Sequence, residues 1–447
     1  MSHQDDAHLR QNVAEIKEIL EQAVPESVAA FVRHGNAKLS AGWLASVAVV
    51  CWGWMTTQTL TKRVRSASEV VGYVLGCEET VTRQGLTGAL ATCGKLLVEL
   101  ILQSLTGRIK NMTGHWSQGG KVNVAIDGSK LAAPRTRANQ EYFSPASQKT
   151  RNGKKYKSSA DKSKASTVQV LVTVLWHIQT GLPLWWKTSA AGGCERTSAS
   201  EMLQRLPPNG RLIGDAAFVG YPLWSKIENS GRSFLVRVGS NTTFLRRLGN
   251  SLLADGLVFF WPNAAMHTNQ PPMKLRLFHL YNGKESIYLV SNELDMSDEL
   301  ASELYRQRWG IEVYFRTVKE TFEHAKLHCL QPDNVLTELD WTLLGTWFAL
   351  HHGKEAMRHQ KRSPHDVSPV EVIRAFQRIV EIIHIKATGI PLLKEVLAKA
   401  ILNDESHRTT SKASRNYPRK KKHKRCGEPI ICNPTSEQQK RALTLRI

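Results

Sequence analysis

No Cys-x-x-Cys pair occurs in this chain of 447 residues, whose seven cysteines stand at 51, 77, 93, 194, 329, 426 and 432. A set so odd and scattered excludes a disulfide framework and a zinc module, and it suits a reducing cytosol. Long apolar runs are missing as well. The longest, Leu44 to Met55, is about half of the roughly 20 residues that a membrane-spanning helix requires. Trp43, Trp52 and Trp54 lend this run an interfacial character, but a buried core helix is its commoner explanation. The amino terminus, Met-Ser-His-Gln-Asp-Asp, is polar and acidic and is no secretory signal. Acids are scarce: 39 Asp and Glu face 60 Lys and Arg, a net charge of +21, with a pI near 9.7. That surplus favours a polyanionic partner, and nucleic acid is the better fit than an anionic membrane surface.

What is present is the balance of a soluble globular protein, 41% apolar and 22% charged, in a length that suggests about three domains. Residues 1–115 read as helical, with Val13, Ile16, Ile19, Leu20 and Val24 at helical spacing. A helical run from Ser66 to Leu75 leads through a polar stretch, Glu78 to Thr87, into a second helix. The pair reads equally as a helix-turn-helix or as part of a plain bundle. Short apolar strands follow at Val122–Ile126, Thr167–Trp176, Leu184–Thr188 and Arg211–Gly214, and four more alternate between Ser233 and Asn292. Helices resume after Asp298 and continue to about Lys386. Two basic stretches break the pattern. Between Arg151 and Lys164 there are six basic residues and one acid, and Lys412 to Arg425 holds eight basic residues and no acid, the composition of a solvated arm with unspecific affinity for polyanions. No internal repeat is evident.

One segment carries a chemical pattern: Leu304-Tyr-Arg-Gln-Arg-Trp-Gly-Ile-Glu-Val-Tyr-Phe-Arg-Thr-Val-Lys319. On a single helix advancing about 100° per residue, Tyr305, Arg308, Glu312 and Lys319 fall within an arc of about 60°. Taken alone, the segment is best read as a solvated face with i,i+4 ion pairs worth tenths of a kcal/mol. Asp127 and Asp215 change the weighing. Each is expected to end a short apolar strand, and each is followed by small residues, Gly128-Ser129 and Ala216-Ala217, where a bulky neighbour would block a phosphate. Two Asp and one Glu supply hard oxygen ligands suited to Mg²⁺ or Mn²⁺. Two such ions about 4 Å apart serve phosphodiester transfer.

The spacing Tyr305-x2-Arg308-x3-Glu312-x6-Lys319 resembles the tyrosine-arginine-glutamate-lysine signature of bacterial DDE insertion-sequence transposases. Ile-Asp127-Gly-Ser and Ile-Gly-Asp215-Ala-Ala-Phe resemble that family's first and second catalytic aspartates, and the likeness runs from about Val122 to Leu350. It implies an α/β fold: a ribonuclease-H-like mixed-sheet core with a β-rich insertion, flanked by helical amino- and carboxyl-terminal regions. The expected divisions are 1–115 (helical, DNA-binding), 116–232 (first part of the core), 233–297 (insertion), 298–350 (second part of the core) and 351–447 (helical, with the basic tail). The resemblance further implies two Mg²⁺ or Mn²⁺ ions on Asp127, Asp215 and Glu312, with Tyr305, Arg308 and Lys319 holding phosphates of the transposon end. An aromatic from the insertion, Tyr288 or Trp261, would stack on a flipped base. Many relatives carry Arg directly after the second aspartate; here Ala216 stands there, leaving Lys187 or Arg211 to supply that contact.

The expected function is cut-and-paste DNA transposition through a hairpin, with terminal inverted repeats and target DNA as partners. A homodimer is expected in the synaptic complex, no membrane is involved, and the compartment is the bacterial cytoplasm, on the nucleoid when bound to DNA. Two rivals remain: a ribonuclease-H-like nuclease without strand transfer, which a joining assay separates, and an inactive or domesticated DNA-binding copy, which has no need of three carboxylates. A helical membrane-surface protein is more distant still.

Overall fold

The computed structural model describes residues 3–31, 39–55, 59–112, 114–143, 149–151, 154–156, 168–190, 193–252, 254, 256–281, 285–321, 326–387, 389–401 and 426–445. The basic arm Lys412–Arg425 lies outside the described residues, as does most of the basic stretch Arg151–Lys164. The helices are α1 (His3–Ala23), α2 (Glu26–Ala29), α3 (Ala41–Ala48), α4 (Leu60–Leu75), α5 (Arg83–Asn111), α6 (Arg137–Phe143), α7 (Glu195–Met202), α8 (Tyr221–Asn229), α9 (Asn263–His267), α10 (Asp298–Gln307), α11 (Gly310–Thr321), α12 (Pro332–His359), α13 (Pro369–Ile385), α14 (Leu393–Ala398) and α15 (Ser436–Thr444). A π-helical turn, Val49–Trp54, extends α3.

The helices before and after the sheet share one apolar core. Leu9, Ile16, Ile19 and Leu20 of α1 are buried, and α1 packs on α13. Buried Asn12 ties the two regions together: its amide donates to Pro391 O at 2.9 Å and its oxygen accepts from Leu393 N at 2.8 Å. Gly53 and Gly345 let the π-helical turn and α12 cross backbone to backbone, since a Cβ at Gly53 would stand 2.4 Å from Gly345 Cα. Trp52 and Trp54 of that turn are fully buried, and the Trp54 indole donates to Gly345 O. The helices on either side of residues 76–82 are long ones, not the short pair expected of a helix-turn-helix. After Gly76 ends α4 in a left-handed cap (φ 71°), α5 runs for 29 residues and buries Leu90, Leu97, Ile101 and Leu105. By length and composition α5 would suffice to cross a membrane, which the run at Leu44 to Met55 would not; in this fold it packs on α12.

The sheet strands are β1 (Val122–Ala132), β2 (Lys149–Arg151), β3 (Lys154–Tyr156), β4 (Gln169–His177), β5 (Leu182–Ala190), β6 (Gly210–Gly214), β7 (Ser233–Val238), β8 (Thr243–Leu245), β9 (Arg247–Leu248), β10 (Ser251–Leu252), β11 (Leu257–Phe260), β12 (Met273–Tyr281), β13 (Ser286–Ser291) and β14 (Ile430–Cys432). Ten of them form one sheet in the order β14-β8-β11-β12-β13-β7-β6-β1-β4-β5. An antiparallel meander, β1-β4-β5, is continued on the other side of β1 by parallel β6 and β7. This is an α/β mixed sheet, and its strand order is consistent with the expected ribonuclease-H-like core. Strand β7 pairs parallel with β6, so it completes the core before the antiparallel strands β13, β12 and β11 extend the same sheet.

Helices cover both faces. Neighbouring residues of β5 show which is which: Trp186 donates to Asp340 of α12 at 2.9 Å, while Arg205, just after α7, lies 3.9 Å from the centre of the Trp185 ring. Alternation of side chains along a strand thus puts α12 on one face and α7 on the other. The carboxyl terminus returns to the sheet. Strand β14 pairs parallel with β8, and the amides of Gln438 and Gln439 on α15 donate to Trp261 O and Gly249 O.

Candidate active site

Strand β1 does not end at Asp127. It runs on to Ala132, because Gly128 to Leu131 stay paired with Thr173 to Val170 of β4. The cross-strand ladder overrides the turn preference of Gly-Ser. On its other edge β1 is freed: pairing with β6 stops at Ala125–Ile213. Strand β6 ends at Gly214, and Asp215 follows as the cap of a 3-10 turn, its Oδ1 accepting from Ala217 N at 2.8 Å. The two aspartates therefore meet where β1 and β6 part, just past the carboxyl end of their parallel pairing, and ligand crevices of open α/β sheets lie at that end.

The signature segment is not one helix. It breaks at Arg308–Trp309 into α10 and α11, with Trp309 N, Ile311 N and Glu312 N each bonding three residues back. Gly310 accounts for the break. Trp176 of β4 lies on its bare Cα, where a Cβ would stand 2.1 Å from the indole. The four residues still converge. Arg308 Nη2 donates to Glu312 Oε1 at 2.8 Å, the Arg308 guanidinium lies 5.4 Å from the Tyr305 ring centre, and Lys319 is close enough to Asp127 to feel its charge.

The electrostatics are unbalanced. Burial pushes the Asp127 carboxyl up to about 7; Asp215 and Glu312 add to the rise, while the Gly128 N–H and Arg308 oppose it. Arg308 is 7% exposed, yet its Nε and Nη1 have no partner among the described residues. Burial also lowers the Lys319 ammonium below its ordinary range, with Asp127 acting the other way. Buried donors without acceptors are costly in a folded protein, and they mark a place where an acceptor binds.

Beside this cluster opens a cavity of about 520 Å³, lined by Arg237, Tyr281, Tyr305, Arg306, Arg308 and Trp309 among others. Trp309 is 55% exposed and Tyr281 71%. Sequence reasoning missed Arg237. Its signal is the parallel register: Ala125, Ile213 and Leu235 are aligned across β1, β6 and β7, so two residues on come Asp127, Asp215 and Arg237. Arg237 donates to Glu285 at 3.2 Å and lies within reach of the Tyr305 hydroxyl.

Other expected residues lie elsewhere. Trp261 is a core residue, 2% exposed, its indole donating to Gln270 O at 2.7 Å, so it has no free face for a base. Tyr288, on β13, already stacks on His279 with ring centres 4.6 Å apart. Arg211 sits at the far end of β6, 3% exposed and held by Glu293 and Asn123. It is withdrawn from any phosphate. Lys187 pairs with Glu201 on the α7 face.

Whether divalent ions fit can be judged from the donors. Three carboxylates supply hard oxygens, and their mutual repulsion is the deficit that a cation would neutralise. They do not form a closed shell: among the described residues no three His, Cys, Asp or Glu side chains stand close enough to hold an ion, and Glu312 is tied to Arg308.

Among solved structures, the chain is similar to a piggyBac transposase synaptic complex with hairpin DNA, at 12% identity and a TM-score of 0.37, covering 90% of this chain and 85% of that one. No curated protein sequence matches it. The model of the transposase DDE domain matches residues 118–347. That span contains Asp127, Asp215 and Glu312 together with the sheet and helices that carry them, and the chain belongs to the transposase DDE domain family.

Proposed function

We propose that this protein is a DNA transposase of the insertion-sequence type, cutting element ends and joining them to target DNA with two Mg²⁺ or Mn²⁺ ions on Asp127, Asp215 and Glu312. The observation that carries the reading is the fork between β1 and β6. It gathers both aspartates beside a buried arginine that keeps unused donors and belongs to the wall of an open cavity. Bound cations would activate a water or 3′-hydroxyl and neutralise charge on the leaving oxygen. Every other task falls to the chain. Asp127 must give up its proton before it can serve as a ligand. Arg308, freed from Glu312, donates its fork to a phosphate of the DNA end, and Lys319, Tyr305 and Arg237 hold neighbouring phosphates. The cavity walled by Tyr281, Tyr305 and Trp309 accepts a terminal nucleotide turned out of the helix, which lets the end bend into a hairpin. Two chains acting as a homodimer would hold the two ends.

The test uses duplexes carrying the inverted repeats that flank the gene, incubated with the full-length protein and Mg²⁺. Cutting at the repeat boundary and joining of pre-cleaved 3′-hydroxyl ends are expected, and Asp127→Asn should abolish both while end binding persists. Cutting without joining would reduce the reading to a nuclease. Undiminished cutting by Asp127→Asn would overturn it.

A further inference from the structure

We propose that a cavity behind the joint of α10 and α11 is a second ligand site, one that takes a small monocarboxylic acid with an apolar body. The inference is independent of the metal and DNA reading. A cavity of about 170 Å³ lies between α11, α12, Trp176 of β4 and the segment of His365 and Val367 that leads into α13. On a helix advancing about 100° per residue, Gly310 and Tyr314 of its wall stand about 160° away from Glu312. The cavity is therefore behind the signature segment, and it shares no wall residue with the larger one at Trp309.

Its chemistry is one-sided. Lys354, Tyr314 and Trp176 are each at most 5% exposed, and all three carry hydrogen-bond donors. The Tyr314 hydroxyl and the Trp176 indole N–H have no partner among the described residues. The Lys354 ammonium has three N–H groups, and its one hydrogen bond among the described residues goes to Pro364 O at 2.9 Å. No carboxylate among the described residues pairs with it. Gly181, at φ 65°, is where two of these groups approach each other. A Cβ there would stand 2.9 Å from Lys354 Nζ and 3.3 Å from Trp176 Cζ2, and the indole N–H is on that same edge of the ring. Burial pushes the ammonium down to about 7. Buried donors of this kind are costly unless an acceptor meets them, and a carboxylate suits a cation best. The rest of the wall includes Val313, Leu350, Val367 and Pro369, so the acid must carry an apolar body. An apolar cavity of about 150 Å³ admits benzene, which sets the size: a carboxylate on one ring or on a short branched chain. An inorganic anion would leave the apolar wall unpacked.

The experiment follows benzoate binding to the full-length protein by ligand-detected saturation-transfer NMR, with benzamide and inorganic phosphate for comparison. It is run on the wild type, Lys354→Met and Tyr314→Phe. Benzoate should bind the wild type at about 1 mM or tighter. Benzamide keeps the shape without the charge and should bind at least about tenfold more weakly. Lys354→Met keeps the apolar stem and should lose about tenfold in benzoate affinity, Tyr314→Phe roughly threefold. Phosphate should not displace benzoate. The benzamide comparison needs no variant, so it decides the question even where Lys354→Met fails to fold. Absence of benzoate binding, or equal binding of benzamide, would overturn the inference. Full affinity in folded Lys354→Met would overturn it as well, by placing benzoate on the basic surface instead. Displacement by phosphate would overturn the ligand class.

Discussion

At the amino ends of β1 and β6, Arg211 is 3% exposed and grips both oxygens of Glu293 and the oxygen of Asn123, with Lys121 3.9 Å from Glu293. At the other end of that parallel pairing, Asp127 faces Asp215 and Glu312, and Arg308 keeps two nitrogens without partners among the described residues. Both ends bury charge, yet the outcomes are opposite. Burial alone would raise Glu293, but Arg211, Ser233 and Lys121 outweigh it and bring the carboxyl below its ordinary value. Burial raises Asp127 to about 7, and the other carboxylates push the same way. One end is matched within the chain and holds the fold together. The other is left unmatched among the described residues, the imbalance typical of a site rather than a strut.

The largest test of this contrast is Asp127→Asn. Cleavage should fall about a thousandfold or more, equivalent to several kcal/mol of lost charge stabilisation. Metal-free stability should move the other way. With a folded value near 7 against an ordinary one of 3.8, Asp127 favours the fold while protonated and loses that contribution as pH rises towards 7 and beyond. Urea unfolding at pH 8 should therefore show Asp127→Asn more stable than the wild type; a clear loss would mean that the charge is matched after all.

Next in size is Glu293→Gln at the matched end. Leaving Arg211 buried without its carboxylate should cost on the order of 3 kcal/mol in urea unfolding. A cost under about 1 kcal/mol would erase the difference between the two ends.

Smaller near pH 6, though growing at lower pH, is an effect of α12, where polar rings are buried without charge. Burial lowers His351 to about 3 and His352 to about 4, with neighbouring cations adding to the effect. Both imidazoles must be neutral in the fold, so their contribution is complete above the ordinary value of 6.5 and drains away as pH falls from 6.5 towards 4. The loss should be about 1 kcal/mol per imidazole per pH unit in that window. Replacing both by Gln should flatten the acid limb of the melting-temperature profile. An unchanged limb would show that these rings are not buried as described.

The smallest test compares two arginines of neighbouring strands. Arg237→Gln should weaken binding to the DNA end and reduce the slope of log K against log salt by about one, the share of a single phosphate contact. Arg211→Gln should leave that slope unchanged in whatever fraction still folds. Equal slopes for Arg237→Gln and wild type would exclude Arg237 from the phosphate track.

The sequence by itself determined the local elements and the chemical types at the site. Helical spacing in α1, the short apolar runs of β4, β6 and β7, and the three carboxylates all depend on neighbours a few residues away, and each was legible. Tertiary structure decided the rest, because the deciding partner lies far along the chain. The ladder to β4 carries β1 past Asp127, and the Trp176 ring on Gly310 splits the signature helix in two. Parallel pairing of β6 with β7 brings Arg237 to the same end of the sheet as the aspartates. The same distance hid the burial of Trp261 under α15, since Gln438 lies 177 residues away from it. Periodicity reports which face of an element is buried, but only the pairing of strands and the packing of helices reports against what.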